Sequence, residues 1–191
     1  MKQKRVGFAL CGSFCTHAAV LEALEALAAE YETVIPIVSE IVAASDTRFG
    51  DAAALLERLK QITGREALQS IPAVEPIGPK SLLDILVIAP ATGNTIAKLA
   101  NGVTDTAVTM AAKAHLRNNR PVVLAVSSND GLSAGAKNIG ELLVRKNYFF
   151  VPFGQDNPIK KPSSLVADFS LLTDTVNAAL RGEQIQPLLI A

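Results

Sequence analysis

Five consecutive residues, Ile85-Leu86-Val87-Ile88-Ala89, carry no polar side chain, and this run constrains the fold more than any other feature of the chain. A strand built from it has no face to give to water. It must be covered on both sides, as a central strand of a parallel sheet is. Comparable runs accompany it. Val6 to Cys11 is apolar and ends in Gly12-Ser13, and Thr33 to Val38 is β-branched and apolar and stops at Ser39. Pro121 to Val126 ends in Ser127-Ser128-Asn129-Asp130-Gly131, and Tyr148 to Val151 closes the series. Each reads as a strand bounded by turn residues.

Between these runs the periodicity is helical. Ala18, Val20, Leu21, Leu24 and Leu27 follow the first strand, and Ala52 to Ile62 forms a second helical stretch that Gly64 closes. Ile96 to Ala100 and Asp105 to Ala114 are expected to be helical with a break near Asn101-Gly102, and Asn138 to Lys146 follows. Ser164 to Leu180 reads as a final amphipathic helix. Ser70 to Lys80 contains Pro72, Pro76 and Pro79, so an extended connection is expected there, with a short edge strand around Ala73 to Glu75. Strands alternating with helices predict an α/β fold, a three-layer, doubly wound, mostly parallel sheet of Rossmann-like type. With 191 residues, 49% of them hydrophobic, residues 1–191 are expected to form one domain.

Lys plus Arg and Asp plus Glu both number 18, so no net field favours nucleic acid or an anionic membrane, and neither is expected as a partner. Met1 to Arg5 is basic, but the apolar stretch behind it is only Val6 to Cys11, too short for a signal peptide or a membrane span. Cys11 and Cys15 stand four apart with no second ligand pair, which argues against a metal site and a disulfide. They are read as two buried thiols in a reducing cytoplasm.

In open parallel sheets, ligands bind beyond the carboxyl ends of the strands, where helix N-termini present free N–H groups and a positive dipole end. The short polar residues of this chain cluster at those ends: Gly12-Ser13, Ser39, Thr92-Gly93-Asn94-Thr95 and Ser127-Ser128-Asn129. Any one of them could be a plain N-cap, as could Thr16 and Ser163. Caps alone do not require four loops on one rim to be rich in Ser, Thr and Asn with almost no charge. Uncharged donors suit a phosphate held by helix ends together with the carbonyls and ring nitrogens of a flat heterocycle. The first turn, Gly12-Ser13-Phe14-Cys15-Thr16-His17, is not G-x-G-x-x-G, no acid ends the second strand, and no Walker A loop exists, which disfavours NAD and ATP as ligands of this chain.

The stretch from Ile88 to Asp105, headed by Pro90-Ala91-Thr92-Gly93-Asn94-Thr95, resembles the P-A-S-A-N-T signature of the homo-oligomeric flavoproteins that include cysteine decarboxylases. With Gly12-Ser13 and Ser39 in register, the resemblance spans the first two thirds of the chain. The later stretches, Ser127 to Leu132, Val151 to Pro158 and Lys161 to Ala167, look like one branch of that family, the dipicolinate synthase B subunits of endospore-forming bacteria. The resemblance implies a flavodoxin-like sheet, FMN at the rim, and a homo-oligomer in which neighbouring protomers complete the site. By position it implies that Gly12 and Ser13 cradle the phosphate, that Ser39 adds a hydroxyl, and that Thr92, Asn94 and Thr95 reach phosphate, ribityl or ring. Phe14, Pro90, Ala91 and Ser127 complete the implied cofactor set. Asn129 stands where the decarboxylases place an asparagine that handles the substrate carboxylate. Asp105 matches a family acid at a helix start, read here as a cap.

Departures from the decarboxylases bear on the chemistry. Their catalytic histidine before the central strand has no counterpart in Ser70 to Asp84, and their cysteine-bearing lid is replaced by Gly154 to Ser164. Lys160 and Lys161 in that segment are candidates to clamp a small dicarboxylate, the alternative being a solvated surface loop. His17 is the only histidine close to the rim, a candidate general acid or else a packed side chain. His115 is read as complementing a helix dipole. The implied function is an oxidoreductase subunit. With an A subunit that carries NAD(P), it would dehydrogenate a dihydrodipicolinate-type intermediate to dipicolinate in the mother cell of a sporulating bacterium. The alternatives are a scaffolding or non-catalytic FMN-binding subunit, and an FMN-dependent decarboxylase.

Overall fold

The computed structural model of the protein describes residues 3–190, so Met1, Lys2 and Ala191, and with them the start of the basic amino-terminal segment, lie outside the described residues. Seven strands and eight helices follow in the order β1 (Arg5–Leu10), α1 (His17–Glu30), β2 (Thr33–Val38), α2 (Glu40–Ala44), α3 (Ala52–Thr63), α4 (Ile71–Val74), β3 (Ile85–Ala91), α5 (Gly93–Ala100), α6 (Ala107–Leu116), β4 (Val122–Ser128), α7 (Ala136–Leu143), β5 (Tyr148–Phe150), β6 (Phe153–Asn157), β7 (Lys161–Ala167) and α8 (Leu172–Ala179). Every residue of β3 is buried, as its uninterrupted apolar sequence requires. Gly64, at φ +67°, closes α3 in the left-handed conformation that only glycine adopts at no steric cost.

Five strands run parallel in the order β2-β1-β3-β4-β5. The chain leaves β1 toward β2 on one side and later enters β3 on the other, so connections diverge between β1 and β3 and open a crevice at their carboxyl ends. Helices α1, α3 and α8 pack together, as do α5, α6 and α7, and the two groups enclose the sheet. No helix of the described residues is long and apolar enough to cross a membrane.

Two elements differ from the sequence reading. The proline-rich segment is helical: α4 is followed by a single 3-10 turn, Glu75–Ile77, and no edge strand forms at 73–75. Pro72 and Pro76 each stand in the first turn of their element, where an N–H would have no intrahelical acceptor anyway. The expected helix from Ser164 to Leu180 is a strand followed by a short helix. β7 pairs antiparallel with β6, and its Val166 and Leu165 lie opposite Ser127 and Ser128 of β4. β4 thus serves two partners on one edge, β5 along Val122–Leu124 and the β6–β7 hairpin beyond it. The helical phase begins only after Asp168, whose carboxylate accepts the N–H of Ser170 at 3.0 Å and turns the chain. A short apolar run fits either period, and the free edge of β4 decided this one.

Candidate functional site

The site is assembled from loops that the topology brings to one rim. After β1, Phe14 N–H donates to Gly12 O at 2.9 Å and Thr16 N–H to Ser13 O at 3.0 Å, a tight turn that occupies the Ser13 carbonyl and leaves its hydroxyl to reach outward. That hydroxyl lies 2.8 Å from the Ser127 hydroxyl at the end of β4, a contact between residues 114 apart in sequence. After β3, Thr92 caps α5: its Oγ1 accepts the Thr95 N–H at 3.2 Å and donates to Thr95 Oγ1 at 3.0 Å, and Thr95 Oγ1 in turn donates to Cys11 Sγ at 3.2 Å. The β1 and β3 loops are therefore tied together beneath the rim.

Gly93 and Asn94 are the first two residues of α5, so their N–H groups have no intrahelical acceptor and stand at the positive end of the helix. A Cβ on Gly93 would lie 2.6 Å from Asp130 Oδ1 and 2.7 Å from Ser128 Oγ, so only glycine lets the β4 loop close onto the start of α5. Ser128 Oγ donates to Asp130 Oδ1 at 2.5 Å and keeps that carboxylate in its own loop. The start of α6 is closed instead. Thr106 and Thr109 form a capping box, and Glu40 Oε1 accepts the Ala107 N–H at 2.9 Å. Asp105, expected to cap this helix, pairs with Lys98 Nζ at 2.9 Å, a contact that holds its carboxyl below the usual carboxylate range.

These loops enclose a cleft of about 730 Å3. Gly12, Ser13, Phe14, Thr92, Asn94, Ser127, Asn129 and Lys161, all marked from sequence, line it. Six other marked residues do not. Pro90 and Ala91 are buried in the end of β3, and Thr95 lies under the α5 turn on Cys11. Ser39 stands at the N-cap position of α2 without a side-chain cap bond, and its N–H donates to Leu10 O at 3.0 Å beside the β1 loop. Lys160 is exposed at the tip of the β6–β7 hairpin, where its N–H donates to Asn157 Oδ1 at 2.8 Å. His17 lines a second, adjoining cavity of about 290 Å3 that shares Phe14, Cys15 and Phe49 with the cleft.

The His17 Nε2 lies 2.8 Å from the Cys11 carbonyl, which can only accept, so Nε2 carries the proton. Burial lowers the His17 pKa, the Cys11 carbonyl opposing, so the ring is neutral around pH 7. Burial pushes the Cys11 thiol up to about 11, whereas Cys15, expected to be buried, is exposed at the mouth. Lys161 Nζ lies 2.5 Å from Asp156 Oδ2, a bond that raises its pKa and matches its charge. His115, at the end of α6, is buried with its pKa near 4 and so is neutral, which removes its expected role as a positive partner of the helix dipole.

Sequence reasoning missed Arg48 and Phe49, which face the cleft from the turn before α3, and Leu165 and Val166, whose strand was read as helix. Gly50 was the available signal for the turn, and its distance in sequence from the marked loops hid its place. The donor set of the cleft, two free helix N–H groups and uncharged hydroxyls, fits a phosphate and a polyhydroxyl chain. The Ser39 hydroxyl, next to the β1 loop but outside the cleft lining, is buried with no partner among the described residues. The volume suits a mid-sized ligand.

The family described as Flavoprotein matches residues 1–160. The dipicolinate synthase B subunit of Bacillus subtilis (strain 168) is 50% identical over 190 residues, covering 100% of this chain and 95% of the relative. The crystal structure of the corresponding dipicolinate synthase B subunit of Bacillus halodurans C superposes with a TM-score of 0.90 at 48% identity, over 98% of this chain and 96% of that one. The FMN-dependent cysteine decarboxylase SpaF, at 23% identity and a TM-score of 0.69 over 93% of this chain and 98% of its own, shares the fold.

Proposed function

The chain belongs to the flavoprotein family, and from that premise we propose that its rim cleft binds FMN and that it acts as the B subunit of a dipicolinate synthase. One observation carries the cofactor reading: the Ser13 and Ser127 hydroxyls meet at 2.8 Å beside the free N–H groups of Gly93 and Asn94. The helix end and the Ser13 turn would hold the phosphate, with Ser39 beside them, and Thr92, Asn94 and Ser127 would reach the ribityl chain and ring. A bound flavin supplies hydride acceptance, which no side chain can. Asn129 and Lys161 would orient the carboxylates of a dihydrodipicolinate-type substrate, whose ring becomes aromatic on losing two electrons and two protons.

The 50% identity to a dipicolinate synthase B subunit supports the substrate class. The proposal includes an A subunit carrying NAD(P), a homo-oligomer of this chain, and action in the cytoplasm of a sporulating mother cell. The absence of histidine from Ser70 to Asp84 favours dehydrogenation over decarboxylation. Titrating the protein with FMN while following flavin fluorescence tests the cofactor, and saturable quenching is expected. Mixing the FMN-loaded chain with the purified A subunit and substrate, and following the ultraviolet band of the aromatic product, tests the role. A rate no higher than that of the A subunit alone would remove it. Stimulation by a chain that takes up no FMN would instead identify a scaffold.

A further inference from the structure

The cleft holds two cations, and only one of them is matched. Lys161 is paired with Asp156, and the other acid of the cleft, Asp130, is engaged by Ser128. Arg48 has no hydrogen bond or ion pair with any described residue, and its guanidinium carbon lies 4.8 Å from the centroid of the Phe49 ring. The two are presented by a braced turn. Thr47 N–H donates to Gly50 O at 3.0 Å and Gly50 N–H returns to Thr47 O at 3.2 Å, while Phe49 N–H donates to Thr47 Oγ1 at 3.1 Å. At its base, Ala52 N–H donates to Asp46 Oδ1 at 2.9 Å and fastens the turn to the start of α3. An exposed phenyl ring carries no information alone. Here a ring 53% exposed and an unmatched guanidinium stand together where the cleft meets the second cavity, on a turn that its own hydrogen bonds hold in shape.

We propose that Arg48 is a substrate-binding residue that holds one carboxylate of a planar heteroaromatic acid while Phe49 packs against the ring. The inference rests on the reading that the cleft takes FMN and a dicarboxylate. A guanidinium stacked on an aromatic face keeps its planar fork free for the two oxygens of a carboxylate, a geometry that lysine cannot reproduce. The stack also restricts the long side chain before binding, which reduces the ordering cost.

The test uses the FMN-loaded protein with pyridine-2,6-dicarboxylate as the probe, binding being read by calorimetry or by perturbation of the flavin spectrum. Arg48→Ala is expected to leave FMN affinity unchanged, which also reports that the variant is folded. It is expected to weaken binding of the dicarboxylate roughly tenfold to a hundredfold. Arg48→Lys should fall between the two. Unchanged dicarboxylate affinity in Arg48→Ala overturns the assignment and leaves the functional reading intact. Loss of FMN affinity in the same variant also overturns it, by making Arg48 a cofactor residue. A wild-type protein that takes FMN but not the dicarboxylate defeats the substrate half of the functional reading, and the role of Arg48 with it.

Discussion

Gly12 has room for a methyl group as far as the protein is concerned: a Cβ there would meet Ile41 Cγ2 at 3.6 Å and Phe14 Cε2 at 3.7 Å, both ordinary contacts. Its backbone is not in the left-handed region, so no strain requires glycine either. The position still opens onto the cleft. If a phosphate sits against the Ser13 turn, the methyl group of Gly12→Ala crowds the ligand while making only ordinary contacts with Ile41 and Phe14. Gly12→Ala is therefore expected to keep its melting temperature within about 2 °C of wild type, since a surface change of this kind costs at most about 0.5 kcal/mol. FMN affinity should fall roughly tenfold or more. Melting curves without FMN and a fluorescence titration with it separate the two effects, and undiminished FMN affinity would take the phosphate away from this turn. Gly93 differs, because there a Cβ collides with Asp130 and Ser128, so a substitution disturbs the loop before any ligand arrives.

Among the elements, what the sequence made readable was whatever its own period decided. β3 is buried throughout because it has no polar residue to expose, and β2 spans the same Thr33–Val38 read from its β-branched run. The β1, β3 and β4 loops were legible as a rim because each follows such a strand with short donors. The hairpin was not, because Leu165, Val166 and Phe169 satisfy a helical spacing as readily as a strand, and only the vacant half of β4 selects the strand. Arg48 was invisible for a related reason: its place depends on how the α2–α3 connection folds back, and no periodicity encodes that. The hairpin supplies the Lys161 side of the cleft, and Leu165 anchors it, 6% exposed and packed over Gly131. Leu165→Ala should destabilise the protein by about 3 kcal/mol in urea unfolding, as deletion of a buried leucine side chain does. Dicarboxylate affinity should fall as the strand carrying Lys161 loosens. A loss below about 1 kcal/mol would mean that the hairpin is not held through this contact.

At the scale of the whole molecule, the parallel order that places the cleft also buries a histidine that the chemistry does not use. His115 ends α6 at 0% exposure, with Nε2 donating to the Pro121 carbonyl at 3.0 Å and Nδ1 without a partner among the described residues. Burial holds its pKa down to about 4, the Pro121 carbonyl opposing and Arg120 reinforcing, against 6.5 for the free side chain. Between those values the unfolded chain carries a proton that the folded chain does not. The slope of unfolding free energy with pH is therefore positive: the contribution is complete above about pH 6.5 and is lost as pH falls toward 4. His17, also lowered by burial, adds with the same sign. From pH 7.5 to 4.5 the loss attributable to His115 should be on the order of 2 to 3 kcal/mol, measured by urea unfolding at both values. His115→Gln keeps an N–H to offer Pro121 but cannot take up the proton, so whatever its absolute stability, its change over the same interval should be smaller by that amount. Equal changes in the two proteins would place the acid sensitivity of the fold elsewhere.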